Sequence, residues 1–160
     1  MRLKRILILF LILSSCATSR YNSEKQYTLP VHIGDSWEKK KELLGQPNYS
    51  GNNFHTYLNY GIIVYISIDT SKITAIVASW FENGYYFNGK IFGISLGDTL
   101  PKCRKLWGKE KSIDSSNSNY YQAVWQIGKR TLELEFWTES GNGLGEIPQE
   151  ADTVKRIKII

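Results

Sequence analysis

The chain has 160 residues, with 20 Lys and Arg against 15 Asp and Glu and a net charge of +5. Its share of apolar residues, 42%, and of aromatic residues, 13%, is typical of a globular protein and excludes a disordered chain. Two cysteines are too few for a disulfide scaffold. The basic balance suggests an anionic partner, but Arg2, Lys4 and Arg5 lie in an N-terminal segment that export would remove.

The first 15 residues have the three-part layout of a secretory signal. The basic head precedes eight consecutive apolar residues, 6–13, and then Ser14 and Ser15. Eight apolar residues are far fewer than the ~20 that a membrane-spanning helix needs. We therefore expect residues 1–15 to be a cleaved signal peptide. Without its three basic residues, 17 basic and 15 acidic side chains leave a net charge of +2, and nothing in this balance predicts a nucleic-acid partner.

Cys16 stands where cleavage is expected. The string Leu13-Ser14-Ser15-Cys16 resembles the bacterial lipobox, in which the cysteine is acylated and becomes the new N-terminus. An ordinary signal peptide that ends near a cysteine is the alternative. The resemblance implies membrane attachment through acyl chains on Cys16, and Ala17 after it implies sorting to the outer membrane. The polar residues 16–28 are predicted to be the lipidated cysteine and its tether.

Beyond the tether the chain repeats itself. Residues 30–45 align without gaps with residues 93–108, and five aligned pairs are identical: Gly34/Gly97, Asp35/Asp98, Lys39/Lys102, Leu43/Leu106 and Gly45/Gly108. A second match, of residues 69–72 with residues 152–155, follows in the same order. The predicted division is a first module at 29–82, an inter-module hairpin or linker at 83–89, and a second module at 90–160.

Each module opens with a helix signal. Ser36 and Thr99 are favourable N-cap residues, and we expect their hydroxyls to accept a hydrogen bond from the first helical turn. Gly45 and Gly108 stand where a left-handed residue ends a helix. The predicted helices are residues 37–44 and 100–107.

Three strand signals follow each helix. They are residues 54–59, 62–69 and 73–80 in the first module and residues 120–127, 131–138 and 154–160 in the second. The predicted fold class is therefore α+β, with two tandem αβββ modules. In each module a short helix packs on an antiparallel sheet of three or more strands.

The two predicted sheets differ in the face that alternates with the core. In the second module, Glu133 and Glu135 are expected to meet Arg156 and Lys158 on a solvated face. In the first module that face is also apolar, with Ala75, Val77 and Phe81 on it. An apolar face needs a cover, which is the partner module, the helix, or another protein that docks there.

Aromatic residues are concentrated between the modules, where residues 80–89 hold five of them around two Asn-Gly pairs. The segment is either a hairpin that joins the modules or a recognition patch, since aromatic anchors dominate interface energetics. The candidate protein-binding residues are Tyr65, Phe81, Tyr85 and Tyr86.

No group of residues predicts catalysis, a metal or a cofactor. The two histidines, His32 and His55, have no metal-ligand spacing, and Cys103 falls on the buried face of its helix. Asp35 and Asp98 precede helix starts, where the helix dipole alone favours a negative charge. The glycine-rich residues 141–145 are followed by no helix, so they do not predict a phosphate loop. We expect no catalytic residue, no metal, no cofactor and no small-molecule substrate.

A short motif carries a family resemblance. Gly34-Asp35-Ser36, followed after seven residues by Leu44-Gly45-Gln46-Pro47, resembles the signature of outer-membrane assembly lipoproteins of the SmpA/OmlA (BamE) type. The second copy keeps the spacing, with Trp107 for Leu and Glu110 for Pro. Tandem repetition is more similar to the β-lactamase inhibitory protein, whose two helix-plus-sheet modules grip another protein with a combined sheet surface.

The resemblance implies a lipid-anchored envelope protein, non-enzymatic and in the outer membrane, that binds a protein partner through its sheet and inter-module aromatics. The alternative is a structural or assembly scaffold lipoprotein without a discrete ligand. An envelope hydrolase is the third class, and it would need a pocket with converging titratable groups.

Overall fold

The computed structural model describes residues 29–81, 83–116, 120–137 and 152–160. Its elements in chain order are α1 (Trp37–Leu44), β1 (Tyr49–Ser50), β2 (Phe54–Tyr57), a 3₁₀ turn (Leu58–Tyr60), β3 (Ile62–Ile66), β4 (Ile73–Ser79), α2 (Leu100–Trp107), β5 (Ser112–Asp114), β6 (Tyr120–Ile127), β7 (Arg130–Trp137) and β8 (Thr153–Ile159). The predicted signal peptide, Cys16, the tether and the glycine-rich residues 141–145 lie outside the described residues.

The eight strands form one antiparallel sheet in the order β1-β2-β3-β4-β8-β7-β6-β5. The fold is therefore α+β, and both helices have the predicted bounds. The sequence predicted three strands after each helix, whereas the structure has four. The additional strands, β1 and β5, are the edges of the sheet. They hold two and three exposed residues, so they carry no alternation that a sequence pattern could detect.

One face of the sheet carries the core together with both helices. The strand register aligns a row of buried side chains across five neighbouring strands: Val64, Ile76, Ile159, Leu132 and Trp125. Trp37 and Leu44 of α1, and Leu100 and Cys103 of α2, belong to the same cluster. Because both helices pack on this face, neither covers the opposite one.

The loops before the two helices are held by carboxylates. Ser36 and Thr99 occupy the N-cap positions, but neither hydroxyl makes the expected capping hydrogen bond. Asp35 instead accepts a hydrogen bond from the backbone N–H of His32 at 3.0 Å, and Asp98 accepts one from Ser95 at 2.8 Å. Each aspartate thus closes a tight turn before its helix, a role beyond the predicted dipole interaction.

The same loops join the last strand of each half. Equivalent pairs of backbone hydrogen bonds link residues 34 and 35 to Ile73, and residues 97 and 98 to Val154, at 2.7–2.9 Å. Val154 therefore corresponds to Ile73, 81 residues earlier. The sequence alignment placed Val154 opposite Ser71, so its second match is displaced by two residues.

An ion pair fixes the chain after α2. Glu110 is buried, and its carboxylate accepts two hydrogen bonds from the guanidinium of Arg104, at 2.7 and 2.9 Å. These bonds hold the pKa of Glu110 below its usual range and outweigh the opposing effect of burial. The pair thereby ties the segment that leads into β5 to the last turn of the helix.

Candidate functional site

The candidate site is the face of the sheet opposite the helices, here called the open face. On β3 and β4 its residues are mainly apolar, and they include Ile63, Tyr65, Ala75 and Val77. On β7 and β8 they are charged: Glu133, Glu135, Arg156 and Lys158. The two halves meet at the centre, where Val77 of β4 lies directly opposite Lys158 of β8. The open face therefore has an apolar half and a charged half side by side.

The charges of the second half are arranged in pairs, as predicted. Lys158 Nζ lies 2.8 Å from Glu133 Oε2, and Arg156 Nη1 lies 3.1 Å from Glu135 Oε1. Gln122 donates a further hydrogen bond to Glu133 at 3.1 Å. These contacts hold the long side chains in place over the sheet, so this half presents a fixed pattern of charge.

Two cavities on the open face form one groove. The larger, about 580 Å³, lies between the apolar residues Tyr65 and Val77 and the charged residues of β7 and β8. The smaller, about 360 Å³, lies at the end of β4 and is lined by Ile63, Trp80 and Trp137, among others. Glu135 and Arg156 line both cavities. The groove therefore runs from the centre of the sheet to an aromatic end, defined by Trp80, Tyr86 and Trp137.

The aromatic end is built on a tight turn. Trp80 forms a bridge with Tyr86, and their rings stack with centroids 4.7 Å apart. Phe81 and Tyr85 close the turn through a backbone hydrogen bond of 2.8 Å. The indole of Trp80 also lies under the ammonium group of Lys155, whose Nζ is 5.3 Å from the ring centroid. Trp80 is thus held by its neighbours while it remains 46% exposed.

This turn docks on the sheet through a glycine. Gly61 has φ +66° and ψ 35°, and it contacts the backbone of Tyr86 and Phe87. The backbone N–H of Phe87 donates to Ser79 at 3.2 Å, and the Phe87 side chain is buried. A side chain at position 61 would occupy the space that this backbone fills. The glycine therefore allows the aromatic end to lie against the sheet.

The structure places the four predicted binding residues in different surroundings. Tyr65 lines the larger cavity and packs against Phe54 at 6.0 Å between ring centroids. Tyr86 reaches the groove through its stack on Trp80, and Tyr85 is equally exposed beside it, both at 45%. Phe81 is half-buried. Tyr65 and Tyr86 thus belong to the two ends of one surface, while the sequence analysis missed Ile63, Trp137 and Lys155 in the groove.

The two histidines and the buried thiol lie elsewhere. His55 is on the core face, where it stacks on Trp37 with centroids 4.7 Å apart and its Nδ1 lies 2.9 Å from Ser50 Oγ. Burial, and to a lesser extent the charge of Lys41, lowers its pKa. Cys103 is fully buried, and burial raises the pKa of its thiol to about 12. These groups have the structural surroundings that the sequence analysis gave them.

Among residues 29–81, 83–116, 120–137 and 152–160, no three His, Cys, Asp or Glu side chains lie together as a metal would require. In the same part of the chain no helix has the length and apolar character needed to cross a membrane. Comparison of the chain with protein-family models, with curated proteins and with solved structures finds no match.

Proposed function

We propose that this chain is a lipid-anchored protein of the bacterial cell envelope that binds another protein through the groove and performs no catalysis. The carrying observation is the groove itself, in which an apolar floor lies beside fixed ion pairs and ends in exposed aromatic rings. Protein interfaces have this anatomy, with an apolar centre, a polar rim and aromatic anchors.

The size of the groove determines how much of the surface must take part. The four central strands span ~19 Å across the sheet, and five residues along a strand span ~17 Å, which gives ~320 Å² of projected area. A standard interface buries about 800 Å² on each partner. The sheet alone is therefore too small, and the aromatic rim with Trp80, Tyr86 and Trp137 has to contribute.

We further propose that the sheet consists of two tandem modules related by a two-fold axis. Support comes from the register of β4 and β8, in which Val77 lies opposite Lys158, 81 residues later. Ile76 pairs with Ile159 and Ala78 with Ile157, so residues 81 apart exchange places across the same point. The interval equals that between Ile73 and Val154. A two-fold axis through the Val77–Lys158 pair accounts for all of these relations.

The proposed anchor rests on the N-terminal sequence. The leader, the lipobox-like string and Cys16 support acylation, after which two or three acyl chains would attach the protein to the membrane durably, because each buried methylene contributes ~0.8 kcal/mol. Ala17 supports the outer membrane as its location. Mass spectrometry of the mature N-terminus tests this step. An unmodified terminus at another residue would remove the anchor from the proposal.

Affinity capture from native membranes tests the partner. The Tyr65→Ala/Tyr86→Ala double variant should reduce the affinity for a stoichiometric partner about 30-fold or more, as removal of anchors worth ~2 kcal/mol requires. Tyr49→Ala is the matched control, because Tyr49 is 60% exposed but lies on the edge strand β1, away from the groove. Cys16→Ala separates partner binding from membrane attachment.

Equal capture by the double variant and the control would contradict the proposal. If no stoichiometric complex forms, and deletion of the protein nevertheless changes membrane permeability, the scaffold lipoprotein is the better description.

A further inference from the structure

The aromatic end of the groove carries a cation with no carboxylate beside it. Glu135 and Glu133 are engaged by Arg156 and Lys158. Lys155 lines the same cavity and has no ion-pair partner within residues 29–81, 83–116, 120–137 and 152–160; its recorded contact is with the Trp80 ring. Three cations and two carboxylates therefore face the groove, and the excess positive charge lies at its aromatic end.

Lys155 reaches this cavity because of a β-bulge. Arg156 pairs with Glu135, but Val154 pairs with Phe136, so Lys155 has no opposite residue on β7. In a regular strand, alternation would place the residue between these two pairs on the other side of the chain. A bulge redirects the side chain of the inserted residue. Here it places an ammonium group in a cavity with two indoles.

The shape of this cavity suits a particular pair of chemical groups. Trp80 at the end of β4 and Trp137 at the end of β7 flank β8, about 10 Å apart, since two strand spacings separate their strands. Their cavity of about 360 Å³ holds about twelve waters at ~30 Å³ each. That is about as many non-hydrogen atoms as a carboxylate side chain and a phenol or phenyl ring contribute together.

We propose that the aromatic end binds a partner-protein loop in which an acidic residue adjoins an aromatic one. The carboxylate meets Lys155, and the ring packs between Trp137 and Ile63. The cation–π contact with Trp80 holds the ammonium group in place before the partner arrives. This inference rests on the proposed function and specifies the partner chemistry that the groove recognises.

Three blocked peptides serve as probes: acetyl-Gly-Glu-Tyr-Gly-amide, its Gln-Tyr analogue without the charge, and its Glu-Ala analogue without the ring. Indole N–H signals of the ¹⁵N-labelled full-length protein in detergent micelles report binding. The Glu-Tyr peptide should shift the signals of Trp80 and Trp137, while those of the buried Trp37 and Trp125 stay in place. The Gln-Tyr peptide should bind about two- to fivefold more weakly, as for a half-exposed ion pair.

Substitution of the lysine provides the second arm. Lys155→Gln should abolish the difference between the Glu-Tyr and Gln-Tyr peptides and its salt dependence, whereas Lys111→Gln, an exposed lysine before β5, should leave both unchanged. The unshifted Trp37 and Trp125 signals verify that each variant is folded. Equal binding of the charged and uncharged peptides, or preferential binding of a neutral chitooligosaccharide probe, would overturn the inference.

Capture of the native partner separates this inference from the proposed function. If Tyr65→Ala/Tyr86→Ala weakens the partner and Lys155→Gln does not, the inference fails and the proposed function stands. If Lys155→Gln also weakens the partner in a salt-dependent manner, both are supported. If no partner is captured, the proposed function fails, and failure of the peptides to discriminate then overturns the inference on its own.

Discussion

Gly61→Ala tests how the aromatic end is positioned. Gly61 lies in the left-handed region, at φ +66°, beneath the backbone of the turn that carries Trp80 and Tyr86. An added Cβ would stand 2.5 Å from the Cα of Phe87 and still closer to the peptide group between Tyr86 and Phe87. Because the obstructing atoms are backbone, the turn itself has to move.

The expected magnitude follows from two contributions. A non-glycine residue in the left-handed region costs about 1–2 kcal/mol, and overpacking against a fixed neighbour costs about 1–3 kcal/mol. Gly61→Ala should therefore lower the free energy of unfolding by about 2–5 kcal/mol. Gly128→Ala is the matched control, since Gly128 has φ +59° and no atom within 4 Å of an added Cβ. It should cost only the ~1–2 kcal/mol of the backbone conformation.

Urea unfolding of the full-length chain, followed by tryptophan fluorescence, measures both variants. The Trp80 indole N–H signal of Gly61→Ala should also move, while that of buried Trp125 should not. Equal destabilisation by the two substitutions would refute the reasoning, because the left-handed conformation alone would then explain the effect and the turn would not pack on Gly61.

Three further predictions concern groups outside the groove. Cys103 should resist alkylation at pH 8 in the native protein and react once urea unfolds it, because a pKa of about 12 leaves a thiolate fraction of only ~10⁻⁴; mass spectrometry of its peptide measures this. Glu110→Gln and Arg104→Met should each cost about 1–3 kcal/mol, and the double variant should cost less than the sum in a double-mutant cycle. Because the pKa of His55 is lowered on folding, the unfolded chain binds the proton more readily, so stability should fall as pH drops below ~6.5; His55→Phe should reduce this dependence in unfolding measured at pH 5 and 7.5.

The sequence predicted the elements whose local signals are strong. Both helices have glycines immediately after them, and α2 has Pro101 in its first turn, so their bounds could be inferred. Long alternating strands such as β6 and β7 were predicted for a similar reason. The joining of all strands into one sheet could not be inferred, because the pairing of β4 with β8 depends on residues about 80 positions apart and has no local signal.

The candidate site was predictable only in part. Trp137 continues the alternation of Glu133 and Glu135 along β7, so its place on the open face could have been inferred from the strand pattern. Lys155 could not, because it lies in the groove through a bulge that exists only in the paired sheet. The failure of the Ser36 and Thr99 hydroxyls to cap has a similar origin. The preceding carboxylates of Asp35 and Asp98 close the turn first, which is a choice between two competing local contacts.

The contrast between the two halves of the open face has a thermodynamic explanation that bears on function. On the core face both halves are apolar, because each fully buried large side chain contributes about 1.5–3 kcal/mol. On the open face the ion pairs of Glu133 and Glu135 are partly exposed, and such pairs contribute only about 0–1 kcal/mol each. Folding therefore requires apolar residues at the first set of positions and places little constraint on the second. Differences between the halves at Ile63 and Tyr65, which correspond to Glu133 and Glu135, can then be set by what the open face recognises, and this is why we place the binding site on that side of the sheet.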